Sequence, residues 1–151
     1  MDAGSGDRGE SLIELLISLV IIGIVVFTIF EGVRVSIQAS DVHRQSTTAS
    51  VYLRDYAEDI ETYVGATQSN YQTGNPSFYS PAVVALSLPS GYTASIVSGQ
   101  CGDGTSWTAC SSATDVGLQR LTLQVRSPDL RATEQLVIVV RKPCGVGSSC
   151  S

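Results

Sequence analysis

The sequence predicts an α+β protein. One long amino-terminal helix lays its C-terminal half across an antiparallel sheet of about four strands. Three observations carry this. An apolar stretch from Leu12 to Phe30 runs, with no Pro from Met1 to Asn75, into a one-sided apolar pattern that lasts to Val64. Alternating segments follow, separated by Gly, Pro and Ser. All four Cys lie beyond residue 100.

Residues 1–9 read as a leader, in which Gly4, Ser5 and Gly6 give little helix support. Helix is expected from Glu10 or Ser11. Ser11 and Glu14 have capping-box spacing, and acids suit the first turn of a helix. The stretch Leu12–Phe30 is nineteen residues long, and Glu14 is its one charged residue. Such a helix is about long enough to cross a hydrocarbon core of roughly 30 Å. A carboxylate inside a span costs about 2.5 kcal/mol or more and needs a partner. The span is long for a signal-peptide core, and no Ala-x-Ala-like site follows it.

After Phe30 the pattern changes. Val35, Val42, Ala49, Leu53, Tyr56, Ile60 and Tyr63 or Val64 recur at threes, fours and sevens, as on an amphipathic helix with one apolar stripe. Gln38, Asp41, Arg44, Gln45, Arg54, Asp55 and Glu58 fall between them. Asp55, Glu58, Asp59 and Glu61 form the densest acidic stretch, read as a solvated or subunit-facing side. The helix is expected to stop near Val64, with Gly65 at its end. From Glu10 to Val64, at 1.5 Å per residue, it would span roughly 80 Å. A domain of this size cannot bury that length, so the first half belongs in lipid or among other subunits.

Residues 65–82 read as a loop, with Tyr71, Phe78 and Tyr79 as exposed aromatics. Val83–Leu88 and Tyr92–Val97 are expected as strands around a Pro89-Ser90-Gly91 turn. Ser98–Gly117 is polar and carries Trp107 between Cys101 and Cys110. Leu118–Arg126 alternates as a half-buried strand. Ser127-Pro128-Asp129 turns the chain into Gln135–Arg141, with the apolar run Leu136–Val140. Lys142-Pro143 ends it.

The first helix has the pattern of a known family. Gly, usually Phe or Met, then Thr or Ser, Leu, Ile and Glu, then an apolar helix, is the signature of prepilins: type IV pilins, minor pilins and the pseudopilins of type II secretion. Gly9, Ser11, Leu12, Ile13 and Glu14 match in place, and Ile21-Ile22-Gly23 matches a later part. The chain resembles this family from Gly9 into the forties, about a third of its length. Glu10 stands where the family usually has Phe or Met, and the leader holds Asp2, Asp7 and Arg8 where the family is usually basic. The resemblance implies a pilin-like fold and cleavage between Gly9 and Glu10 by a prepilin peptidase. It also implies N-methylation of Glu10 and assembly through Glu14. The divisions expected are leader 1–9, transmembrane and assembly helix 10–32, amphipathic helix 33–64, and exported head 65–151.

The orientation taken from the resemblance puts the leader inside and the head outside the cytoplasmic membrane. The chain is then single-pass, and on the cell surface after assembly. In an exported head four Cys read as disulfides, with three possible connectivities. Cys101–Cys110 and Cys144–Cys150 are the expected pairs, because short loops cost least to close. Zinc lacks a ligand pattern: neither pair has Cys-x-x-Cys spacing, and the single His is His43, read as a solvated helix residue. Asp103 and Asp129 belong to no calcium-loop series.

A formal net charge of −5 and a pI near 4.6 argue against a general polyanion binder, so no nucleic-acid partner is expected. No nucleophile motif or phosphate loop appears, and neither an enzyme nor a cofactor is expected. The expected function is a structural subunit, a minor pilin or pseudopilin, of a type IV pilus or type II secretion-like filament. Its expected partners are the prepilin peptidase, other pilin-like subunits, the assembly platform and membrane lipid. The rival is a single-pass membrane-anchored extracytoplasmic binding domain that does not polymerise.

Overall fold

The structure, a computed structural model, describes residues 7–144, with side chains from Leu12 onward. One helix, α1, spans Asp7–Ala66. Four strands follow: β1 (Thr93–Gly102), β2 (Trp107–Ala109), β3 (Leu118–Arg126) and β4 (Thr133–Arg141). They form one antiparallel sheet in the order β2-β1-β3-β4. By contacts the chain divides into two units, Met1–Asp41 and Val42–Ser151.

Helix α1 starts earlier than expected and takes in Asp7, Arg8 and Gly9 of the expected leader. Nothing in those residues forbids it, since no Pro intervenes. Gly23 and Gly32 do not interrupt it, and Gly65 lies inside its last turn, which ends at Ala66. Thr67 then leaves in extended conformation.

The second unit is built on the apolar stripe of α1. Ala49, Leu53, Tyr56, Ala57, Ile60 and Val64 are buried with Leu121, Leu123, Val125 and Val140 of the sheet. Val42 is half-buried, and Val35, the first residue of the expected stripe, is 62% exposed. The stripe is covered only where the sheet lies beneath it. The β3–β4 turn is tied to the helix as well. Gln45 Nε2 donates to Asp129 Oδ2 at 3.2 Å, and Ser46 donates to Glu134.

The hairpin β3–β4 agrees with the alternation in the sequence. Odd residues of β3 from Gln119 to Val125 face inward and are buried, and β4 alternates in step. The Val83–Leu88 segment is not a strand. Val83 and Val84 N–H donate to the Ser80 carbonyl, Leu86 N–H donates to the Pro81 carbonyl, and Ala85 has φ +59°. These local bonds replace the ladder that a strand would need. Val84 still enters the core, from a turn. The Pro89-Ser90-Gly91 turn is present, with Tyr92 N–H donating to Pro89 O at 3.1 Å.

Strand β1 runs on through Ser98–Gly102, where polar and small residues predict a loop. A bulge at Val97 makes this possible. Val97 and Ser98 both face out, and Gly99 and Cys101 return to the inner face. Gly99 is required there: a Cβ would lie 2.3 Å from Pro76 Cβ. The Cys101–Cys110 disulfide is formed and closes the β1–β2 hairpin. Cys144 is not a free thiol. Cys150, its expected partner, lies outside the described residues.

The loop aromatics are not exposed as expected. Tyr71 and Tyr79 are buried, and Phe78 packs against the core. Tyr63, Phe78 and Tyr79 form a ring cluster with centroids 5.9–6.5 Å apart.

Candidate functional site

The site nominated by the sequence lies on the first unit. From Leu12 to Phe30 every residue is exposed; among the large apolar side chains exposure ranges from 44% at Val26 to 70% at Phe30. None of the described residues covers this surface, and so large an apolar area calls for lipid or a partner. Among the described residues one helix is long and apolar enough to cross a membrane, and this is its apolar part. Its hydroxyls are satisfied locally. Ser18 Oγ donates to Glu14 O at 2.8 Å, and Thr28 Oγ1 donates to Val25 O at 2.8 Å. Back-bonding of this kind suits a helix in lipid, where water cannot serve.

Glu14 is different. Its carboxylate projects from the exposed apolar surface, and no ion pair among the described residues involves it. Four charges lie in the first unit beyond Leu12: Glu14, Glu31, Arg34 and Asp41. Among the described side chains the nearest cation in sequence is Arg34, twenty residues away and roughly 30 Å along a helix; Arg8, six residues before Glu14, lies outside the described side chains. Gly9 and Glu10 lie within the helix backbone; their side-chain surroundings are outside the description.

Residues 4–30 match the family model described as the prokaryotic N-terminal methylation motif. This amino-terminal segment is type IV prepilin-like. The match covers the amino-terminal segment alone, and the head lies beyond it. Comparison with curated proteins and with solved structures returned no match. The prepilin motif supports a membrane-anchored, pilin-like protein processed at its amino terminus by a prepilin peptidase and assembled with other pilins. It points to a structural subunit.

In the head the described residues contain no group of three metal-ligating side chains. Asp103 instead takes hydrogen bonds from the Ser106 and Thr105 backbone and from their hydroxyls, which hold its carboxyl well below the usual range. Asp129 is likewise lowered, chiefly by Ser127, and pairs with Arg131 at 3.4 Å. His43 is exposed, as expected. Trp107 is half-buried on β2, and the Arg120 guanidinium lies 4.9 Å from its ring centroid.

The polar centre of the head is Asp115, which the sequence reading passed over. Tyr71 hydroxyl (2.6 Å) and Gly117 N–H (2.9 Å) donate to Oδ1, and Gly74 N–H (2.7 Å) and Gln119 Nε2 (2.6 Å) to Oδ2. Gln119 Nε2 also donates to Gln72 O at 2.7 Å. The network fastens the loop after α1 to the start of β3. Burial by itself pushes the Asp115 carboxyl up, but the four donors together hold it below its ordinary value. Burial and the Asp115 contact push the Tyr71 phenol far upward, so it stays protonated and donates. The Asp115–Gly117 spacing of an Asx turn was the one local signal available.

An acid dependence follows. Asp115, Asp103 and Asp129 all have lowered folded-state values. Their contribution is complete above the unfolded value of about 3.9 and is lost as pH falls through the folded values. The thermal midpoint of detergent-solubilised protein, followed by the single Trp, is expected to be flat from about pH 7 to 5 and to fall below about pH 4. A midpoint that rises on acidification would contradict this.

Proposed function

We propose that this chain is a filament subunit, a minor pilin or pseudopilin of a type IV pilus or type II secretion-like system. The prepilin peptidase cleaves between Gly9 and Glu10, and Glu10 becomes the methylated amino terminus. The helix 10–32 anchors the chain in the cytoplasmic membrane in a single pass, with the head outside. On assembly it exchanges lipid for neighbouring helices. One observation supports this reading: Glu14, which has no ion pair among the described residues, projects from an otherwise apolar helix surface, five residues after Gly9 within the matched motif. Cleavage creates an α-ammonium group on Glu10. In a filament the terminus of one subunit neutralises Glu14 of its neighbour and sets the register between helices. Glu10 and Glu14 lie one turn apart, and the new ammonium offsets their mutual repulsion.

The scissile bond falls in the first turn of α1. First-turn N–H groups have no intrahelical partners, so opening this turn for a protease costs little. N-terminal sequencing of membrane-extracted protein is expected to start at Glu10. An intact Met1 terminus in cells with an active peptidase would overturn the processing step. It would favour a simple anchored binding domain.

A further inference from the structure

Strand β4 has the sequence of an interior strand but stands at an edge. Among the described residues no strand pairs with its far side. Lys142 N–H donates to Gly117 O and Ser127 N–H donates to Ala132 O, both in step with the β3–β4 register. Even-numbered residues of β4 therefore bond to β3. The N–H and C=O groups of Thr133, Gln135, Val137, Val139 and Arg141 point away from it, and no hydrogen bond among the described residues reaches them.

Leu136–Val140 is an unbroken apolar run, the pattern of a strand covered on both faces. Here the cover is incomplete. On the outer face Val137 is 56% and Val139 49% exposed. On the inner face Leu136 and Ile138 are only half-buried, whereas Leu121, Leu123 and Val125 of the neighbouring β3 are fully buried. The edge is also unguarded. β4 holds no Pro and no Lys, and its register has no bulge. Its one inward charge, Glu134, sits at its start and accepts from Ser46.

We propose that the free edge of β4 takes a further strand from a different protein. The occupant is an extended, β-branched segment, apolar on both faces where it lies along Leu136–Val140. A row of outward N–H and C=O groups at strand spacing is matched by another polypeptide backbone, which a lipid chain cannot supply. The segment 145–151 of this chain, Gly-Val-Gly-Ser-Ser-Cys-Ser, holds a single Val and does not match a five-residue apolar run. A second copy fits in neither direction. β4 starts beside Ser46 and ends near the loop after α1, where Gln119, opposite Val140, donates to Gln72 O; it runs with the helix. Antiparallel pairing of two β4 edges would oppose the two α1 segments, although both chains are anchored through the amino end of that helix. Parallel pairing in register would set Arg141 beside Arg141 and Glu134 beside Glu134.

The test reads amide hydrogen exchange residue by residue, by NMR, on the isotope-labelled full chain in detergent. The probe is the synthetic peptide Glu-Thr-Val-Ile-Val-Thr-Val-Lys at millimolar concentration. Without peptide, Leu136, Ile138 and Val140 amides are expected to exchange slowly and Gln135, Val137 and Val139 amides quickly. The peptide is expected to slow the second set by about tenfold or more. The same peptide N-methylated at every amide is expected to have no effect, because it has no donors for the ladder. Slow exchange at Val137 and Val139 without peptide would overturn the proposal. Independent of chain concentration it would assign the edge to residues 145–151, and rising with concentration to a second copy. Unchanged exchange with peptide present, or equal slowing by the N-methylated form, would overturn it as well. The slow set checks that the head is folded in every sample.

Discussion

Glu14→Ala is expected to abolish filament incorporation while leaving the protein in the membrane. Removing the charge makes insertion of the span more favourable by about 2.5 kcal/mol. Cleavage is expected to continue if the peptidase reads Gly9 and its surroundings. Assembly is expected to fail because the neighbour's α-ammonium then enters an apolar bundle without its counter-charge. Breaking one side of a buried pair costs about 3–5 kcal/mol, which corresponds to roughly a hundredfold or more in an equilibrium. Glu14→Gln keeps the shape and loses the charge, so it is expected to fail similarly. The head core begins at Ala49 and contains no residue of the first unit, so its melting is expected to be unchanged. The measurement compares sheared surface and membrane fractions for wild type and variants. Equal incorporation would remove charge pairing from the mechanism and favour the anchored-domain reading.

Asp115→Ala is expected to give the largest loss of head stability. The substitution removes four hydrogen bonds to one carboxylate. It leaves a buried Tyr71 hydroxyl and the Gln119 amide with lost partners. Hydrogen bonds to charged groups contribute about 1.5–3 kcal/mol each, and they are not additive within one network. A net loss of about 3 kcal/mol is expected, or roughly 10–15 °C in thermal midpoint for a head of this size. Tyr71→Phe removes one donor and is expected to cost about 1 kcal/mol. In a double-mutant cycle the two changes are expected to couple, because they share one bond. The single Trp, at position 107 on β2, reports head unfolding separately from the helix. A midpoint within about 2 °C of wild type for Asp115→Ala would mean that water replaces the carboxylate at little cost.

The contrast between these two residues shows what the sequence carried. Glu14 was legible because its meaning is local: an acid at a fixed offset within an apolar span needs no tertiary structure to stand out. The same holds for the helix itself, for the stripe from Ala49 to Val64, and for β3 and β4, where alternation records which side is buried. The Cys101–Cys110 pair was legible from the short loop between its members.

Asp115 was not legible, because Tyr71 and Gly74 are more than forty residues away in sequence. A polar residue among Ser and Thr looks the same whether water or a closed loop satisfies it. Val83–Leu88 failed in the other direction. Its apolar run fits a strand, yet its N–H groups bond locally to the Ser80 and Pro81 carbonyls, so the segment closes on itself as turns. The polar segment Ser98–Gly102 became strand because β3 supplied its ladder and the Val97 bulge corrected its facing.

By itself the sequence determined the parts set by periodicity and spacing: the membrane-length helix, the acid within it, the covered stripe and the last hairpin. The tertiary structure alone decided the parts that depend on which distant groups meet. These are the Asp115 fastening and the extent of β1. The physical reason is that backbone and side-chain polar groups take whichever partner chain closure brings. That choice is made across the fold, whereas periodicity is written within a few residues.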